Sequence, residues 1–169
     1  MTLAVCRECR TEVSDQARSC PRCGAPRPAD PAWSGTGFEW QSSRTLWGYP
    51  LVHIAFGRDR RGKRRVAQGV IAIGQFALGL ITVAQFGVGL LFGFGQFIVA
   101  PAALAQFAGG LAVIGQFAAG YAAVGQFVLA YYGLAQLGLA RFLWSSTAKD
   151  PEAVNFFLSV WEAVKHFMK

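Results

Sequence analysis

Residues 73–140 read IGQFALGLITVAQFGVGLLFGFGQFIVAPAALAQFAGGLAVIGQFAAGYAAVGQFVLAYYGLAQLGLA. Glutamine recurs at Gln75, Gln85, Gln96, Gln106, Gln116, Gln126 and Gln136, every ten residues except for one step of eleven. Phenylalanine follows the first six of them, and small residues recur at half the interval, as at Gly69, Gly74, Gly79, Ala84 and Gly89. No charged residue occurs from Val66 to Ala140.

Three transmembrane helices of ~20 residues would fit this length. The interval opposes them. Ten residues of α-helix turn by about 1000°, so successive glutamines would be displaced by about 80° and spiral around the helix. Close helix packing places small residues four apart, not five. No polar loop marks a reversal. In an unbroken strand an odd repeat would flip its side chains at every copy, and a corner after each five residues restores the phase. The expected fold is therefore mainly β, a repetitive β-solenoid over residues 47–145. A closed ring of ten-residue hairpins is a second β arrangement, because it removes open edges. A three-helix transmembrane bundle is the alternative.

The pentads GQFAL, GLITV, AQFGV and, after one extra residue near Leu91 to Phe94, GQFIV, APAAL and AQFAG carry a small first residue and a large third one. They resemble the pentapeptide-repeat family, whose units build a four-sided right-handed β-helix of twenty-residue coils. The resemblance implies that Phe76, Phe86, Phe97, Phe107, Phe117 and Phe127 stack inside as a repeat core. Gly74, Ala84, Gly95, Ala105, Gly115 and Gly125 would pack beside them. The seven glutamines would point outward as ladders on alternate faces, each amide bonding to the coil above. Where that family is polar outside, this chain has Leu, Val, Ala and Tyr. Nucleic-acid mimicry needs an acidic outer face, so that activity is not implied. Twenty-residue coils would number about three and a half and rise ~17 Å, short of a ~30 Å hydrocarbon core.

Charge sits outside the repeat, and the net charge is +7 although 53% of residues are hydrophobic. A water-covered domain needs polar groups on its outer face, so lipid, another subunit or the rest of the chain must cover the block. The opening MTLAVCREC lacks a basic-then-apolar leader, so no cleaved signal is expected.

Cys6-Arg7-Glu8-Cys9 and Cys20-Pro21-Arg22-Cys23 are two CxxC pairs separated by ten residues. Each pair fits a tight turn that aims two thiolates at one ion, and two turns complete a tetrahedral four-cysteine site. Zn2+ is the expected cofactor, in a closed and therefore structural site. The cysteine pattern suits a reducing compartment. Residues 5–27 resemble the zinc-ribbon modules of many bacterial proteins, typified by CxxCG…CPxCGxP, with Arg10 in place of the first glycine. The resemblance implies an adaptor for protein or nucleic acid. The GYPLVHIAFG run that precedes the repeat resembles a set of bacterial proteins of unassigned function.

The expected organisation is a ribbon over 1–27, a Pro/Ala linker over 28–46, the repeat domain over 47–145 and a helix over 146–169. Trp33, Phe38, Trp40 and Trp47 suit loop anchors, either at a bilayer interface or against a neighbouring element. Residues 47–57 read as a strand, with His53 packed or hydrogen-bonded rather than a ligand. Arg58, Arg60, Arg61, Lys63, Arg64 and Arg65 form a basic loop against the apolar block, where a cytoplasmic positive flank is expected. They suit anionic headgroups or phosphate. No aromatics interleave with them to stack on bases. Asp150-Pro151-Glu152 opens a helix. Val154, Phe157, Leu158, Trp161, Val164 and Met168 form its apolar stripe, and Lys165, His166 and Lys169 its positive last turn. Glu162 and His166 are expected to make a stabilising contact. Such a helix caps the repeat or lies in a membrane interface.

No nucleophile–base pair, phosphate loop or open metal site is visible, so no enzyme is expected. The expected protein is a membrane-associated or self-assembling scaffold with a zinc-ribbon adaptor. Its expected place is at or in the inner membrane, with the ribbon in the cytoplasm. Its partners would be lipid or further copies, with a protein at the ribbon. A nucleic-acid-associated regulator using the ribbon and residues 58–65 is the alternative.

Overall fold

A computed structural model describes residues 2–168; Met1 and Lys169 lie outside the described residues. The chain is mainly β with one helix. Strands β1 (Leu3–Val5) and β2 (Glu12–Ser14) form a small antiparallel hairpin. β3 (Glu39–Gln41) pairs antiparallel with β6 (Val52–Ala55), and between them β4 (Thr45–Leu46) and β5 (Tyr49–Pro50) form a two-residue-deep hairpin. Glu39–Gln41 therefore belongs to the main sheet rather than to a linker running to residue 46. The segment expected as one strand over 47–57 is divided between β5 and β6.

The repeat is a nearly continuous extended chain, β7 (Val66–Val99) and β8 (Ala102–Trp144), interrupted at Ala100–Pro101. Ten extended residues cover ~33 Å. Yet the Phe76 and Phe86 rings lie 5.4 Å apart. The chain must therefore run out and back within ten residues. The register agrees: Phe92 pairs with Ala102, Gly93 with Ala103 and Phe97 with Phe107, all in parallel. Parallel pairing rules out stacked hairpins, whose legs are antiparallel. The α-helical membrane bundle also fails, since residues 66–144 are extended and no helix is long and apolar enough to cross a membrane.

Each return holds two five-residue legs. In every leg the first and fourth places face inward. The fourth places include Ala72, Ala77, Thr82, Ile98, Ala103, Ala108, Val113, Ala118, Ala123 and Val128, all buried. The first places are Gly or Ala, because the row before them approaches too closely for more. A Cβ on Gly125 would stand 2.0 Å from the Gly115 carbonyl oxygen, and one on Gly110 would stand 1.7 Å from that of Ala100. The interior is thus a thin Ala/Gly/Val layer between backbones.

This corrects two expectations. Rows repeat every ten residues rather than twenty, because the two legs fold directly onto each other with no room between them for a four-sided coil. The phenylalanines Phe86, Phe97, Phe107, Phe117 and Phe127 are not inside either; they are 39–45% exposed. A ring cannot fit an interior built for methyl groups. The six rings stack outside instead, at 4.4–5.4 Å with planes within 12° of parallel.

The extra residue of the eleven-residue step falls between Gly89 and Gly93. There Leu90 and Leu91, consecutive in sequence, both point outward at 60% and 61% exposure. Ten-residue register resumes from Phe92. Ile98, the largest buried side chain, fills the space that Gly87 and Gly93 leave: a Cβ on either would stand 3.2 or 2.3 Å from it. Thr82, fully buried, donates to the Val88 carbonyl at 2.9 Å.

Both ends of the ladder are covered. β6 pairs in parallel with Ile71–Gly74 at the first row, and β3 lies outside β6. At the far end, α1 (Pro151–Phe167) starts where the Asp150 carboxylate accepts from the Glu152 amide at 2.9 Å, with Pro151 in the first turn. Its first half packs on β8: Ala153 is fully buried, and the Phe156 ring stacks on Tyr132 at 4.2 Å. From Leu158 to Met168 every residue is exposed, including Trp161 and Phe167. Glu162 pairs with Lys165 at 2.8 Å rather than with His166, one turn being long enough for the lysine to reach back.

Candidate functional site

The four cysteines converge. Sequence spacing places Cys6 and Cys9 on one turn and Cys20 and Cys23 on another. The turns are built alike: the Arg10 amide donates to the Cys6 carbonyl and the Gly24 amide to that of Cys20, each at 2.9 Å. Cys6 then donates to Thr11, and Cys20 to Ala25, again at 2.9 Å. The tight turn needs a left-handed residue after each pair. Gly24 supplies it at φ +75°, and Arg10 is forced to it at φ +58°.

All four sulfurs lie within 4.8 Å of one another. Cys6 and Cys23 are 3.8 Å apart, Cys9 and Cys20 3.6 Å. A tetrahedron with Zn–S bonds of ~2.3 Å has edges of about 3.8 Å. The donor set therefore fits a metal ion such as zinc, with Cys6 and Cys20 buried and Cys23 at the surface. It is the one such cluster among the described residues.

The thiols' acidities show what a cation would relieve. The Cys9 amide, against burial and helped by the Glu8 amide, holds Cys6 below the usual thiol value. The Thr11 hydroxyl and amide bring Cys9 to about 6. At Cys23 the Ala25 amide acts downward, but burial and the sulfurs of Cys9, Cys20 and Cys6 push it to about 12. Four thiolates this close need a metal ion between them.

Arg7 joins the ribbon to the basic loop. Its side chain is 5% exposed. It donates to the Pro26 and Arg27 carbonyls, each at 2.7 Å, and to the Arg60 carbonyl at 3.0 Å. Its place inside the CxxC turn gave no sign of this role.

The six basic residues do not act alike. Asp59 shapes their loop by accepting from the Arg61 amide at 2.9 Å and the Lys63 amide at 2.8 Å. Arg58, Arg60, Arg61, Lys63 and Arg64 are exposed. Arg64 sits over the Phe76 ring at 4.9 Å, so a cation heads the phenylalanine stack. Arg65 is committed internally: it pairs with Glu39 and donates to the Ser34 carbonyl at 3.2 Å. That overturns its place among surface contacts. Glu39, on β3, is what draws it inward.

Glu39 also faces His53, with Nε2 3.4 Å from Oε1. The Gln68 amide donates to His53 Nδ1 at 2.9 Å, and the Gln68 carbonyl oxygen lies 3.1 Å from the same nitrogen. His53 is 8% exposed and seals the first row as a packed, hydrogen-bonded residue.

On the ladder the glutamines form one outward column beside the rings, exposed from Gln85 to Gln136 and half-buried at Gln75. A ten-residue return puts every glutamine on the same face, so they do not alternate between faces as expected. No hydrogen bond joins successive glutamine amides among the described residues. The remaining outward rows are apolar: Leu78, Val88, Val99, Leu111, Leu129 and Leu139 are all 44–77% exposed. Small interior residues leave the larger ones nowhere else to go.

No protein-family model, curated protein or solved structure matches the chain.

Proposed function

We propose that this protein is a non-enzymatic, membrane-associated or self-assembling scaffold: a flat β-solenoid of ten-residue coils with a structural zinc ribbon as its adaptor. The observation that carries it is the outer surface of the ladder, where from Phe76 onward every outward column but the glutamine one is aliphatic or aromatic and no charge occurs between Val66 and Ala140. A continuous exposed apolar surface of this kind marks a membrane or protein interaction site rather than the surface of a soluble monomer. Interior packing cannot be the reason for it, because the interior is made of other residues.

The five exposed cations of the basic loop stand at the ribbon end of the ladder. There each adds about 1 kcal/mol of attraction to an anionic leaflet. They support a cytoplasmic side for the ribbon at an inner membrane, since positive flanks stay there. The ribbon's closed ligand set supports a structural zinc and a protein partner. Nucleic acid is the competing ligand for the same cations. Flotation with liposomes, with and without anionic lipid, tests the proposal. Binding is expected to both, stronger to the anionic ones. Recovery of a soluble monomer at low salt without detergent, or binding to nucleic acid alone that collapses with salt, would overturn it.

A further inference from the structure

We propose that the ladder crosses a lipid bilayer upright, as a stack whose backbone hydrogen bonds run along the membrane normal. The inference rests on the membrane reading above and adds a direction and an extent to it.

Height carries the argument. Successive rings from Phe76 to Phe127 are 4.4–5.4 Å apart and nearly parallel. With ten residues per row, the charge-free stretch from Val66 to Ala140 rises about 35 Å at ~4.8 Å per row. A hydrocarbon core is ~30 Å thick. Twenty-residue coils would have covered half of it. The match comes from the fold, not from any window of sequence.

Backbone chemistry permits the orientation. Lipid excludes open sheet edges, which is why strands normally cross membranes only as closed barrels. Here the strand partners are the rows before and after, so amides and carbonyls point along the stack and not sideways into lipid. The two open edges lie at the ends. One is paired by β6 and β3. At the other, the segment leading into α1 pairs with the strand end: the Asp150 amide donates to the Leu143 carbonyl at 3.0 Å and the Ser145 amide to the Ala148 carbonyl at 2.6 Å. The glutamine column is the polar exception. Successive glutamines are one row apart, the spacing at which stacked amides form ladders, so rotated side chains can satisfy one another within lipid.

Both ends are dressed for an interface. The ribbon end exposes Trp40 on β3, and the β4–β5 hairpin beside the first rows exposes Trp47 and Tyr49; the far end exposes Tyr131 and Trp161 near Arg141 and Lys165. Aromatics and cations mark the two headgroup levels. The exposed second half of α1 then lies along the far interface.

Polarised infrared spectroscopy of the zinc-loaded full chain in oriented phosphatidylcholine–phosphatidylglycerol bilayers tests this. The strand amide I band is expected to absorb most strongly along the bilayer normal. Strongest absorption in the membrane plane means that the stack lies flat or forms another structure; it overturns the upright crossing while membrane association stands. Protein that stays in the aqueous phase as a monomer or a higher assembly overturns both.

Discussion

The Phe97 ring lies flat on the Phe107 ring, centroids 4.4 Å apart and planes 4° from parallel. The two residues are also register partners in adjacent rows. One contact thus fixes the repeat length, the parallel sense and the outward direction of the aromatic track.

The first prediction separates an outer stack from a core. Phe107→Ala removes two offset stacks, each contributing about 0.5–1.5 kcal/mol beyond area burial. Stacking alone accounts for about 1–3 kcal/mol of the loss in denaturant unfolding, to which the burial of a ring 39% exposed adds, and no cavity is left as there would be for a core phenylalanine. Ala118→Phe, at an inward place 3% exposed, is expected to prevent folding.

Interior tolerance gives the second. Ile98→Ala should cost about 2–5 kcal/mol, because the glycines around it cannot close the cavity. Gly125→Ala should cost about 1–3 kcal/mol through its contact with the Gly115 carbonyl. Ala119→Val, on the outer face, should stay within about 0.5 kcal/mol of the parent. Thermal or denaturant midpoints of the three decide it.

The third concerns the metal. Chelation, or Cys20→Ser, should unfold residues 2–28 and leave the ladder's β circular dichroism intact, since the ribbon's buried cluster of Cys6, Val13, Cys20 and Ala25 is separate from the ladder's. The metal-bound state holds fewer protons than the unfolded chain, so ribbon stability should rise with pH and zinc should be released on acidification. Metal analysis across a pH series reads this directly.

Arg10 yields the fourth. A non-glycine residue at φ +58° costs about 1–2 kcal/mol. Arg10→Gly should therefore stabilise the metal-loaded ribbon by about 1 kcal/mol, less the extra entropy of an unfolded glycine. Hydrogen exchange at the Thr11 and Cys6 amides would show it as slower exchange.

Membrane depth gives the fifth. Leu104, 42% exposed at mid-height, would carry a charge to the bilayer centre in Leu104→Arg, at a cost of about 2–4 kcal/mol. Val66→Arg, next to Arg65 at the ribbon end and 43% exposed, should cost little. Liposome partitioning of the two compares them.

Much of this was legible in the sequence. The five-residue unit, the exclusion of helices, the four-cysteine cluster and the Asp150 cap all followed from spacing and residue type. The inward place did not, because phenylalanine carries the strongest expectation of burial. The counter-signal lay in the fourth place of each pentad. Ala72, Ala77, Thr82, Gly87, Ala103, Ala108, Val113 and Ala118 are never aromatic, as a thin interior requires. The ten-residue return was also present in the glutamines themselves, since like side chains stack on like. Assigning twenty-residue coils by family resemblance obscured it. Arg65 could not be assigned from sequence, because its partner Glu39 lies 26 residues away on another strand.

Nitroxide pairs test the ten-residue return most directly. Labels at Leu104 and Ile114 should lie one row apart, ~5 Å at the backbone, and broaden each other's spectra strongly, while labels at Leu104 and Val124 should lie ~10 Å apart and broaden less. Stronger broadening for the Leu104–Val124 pair would mean a twenty-residue coil and would contradict the fold described here.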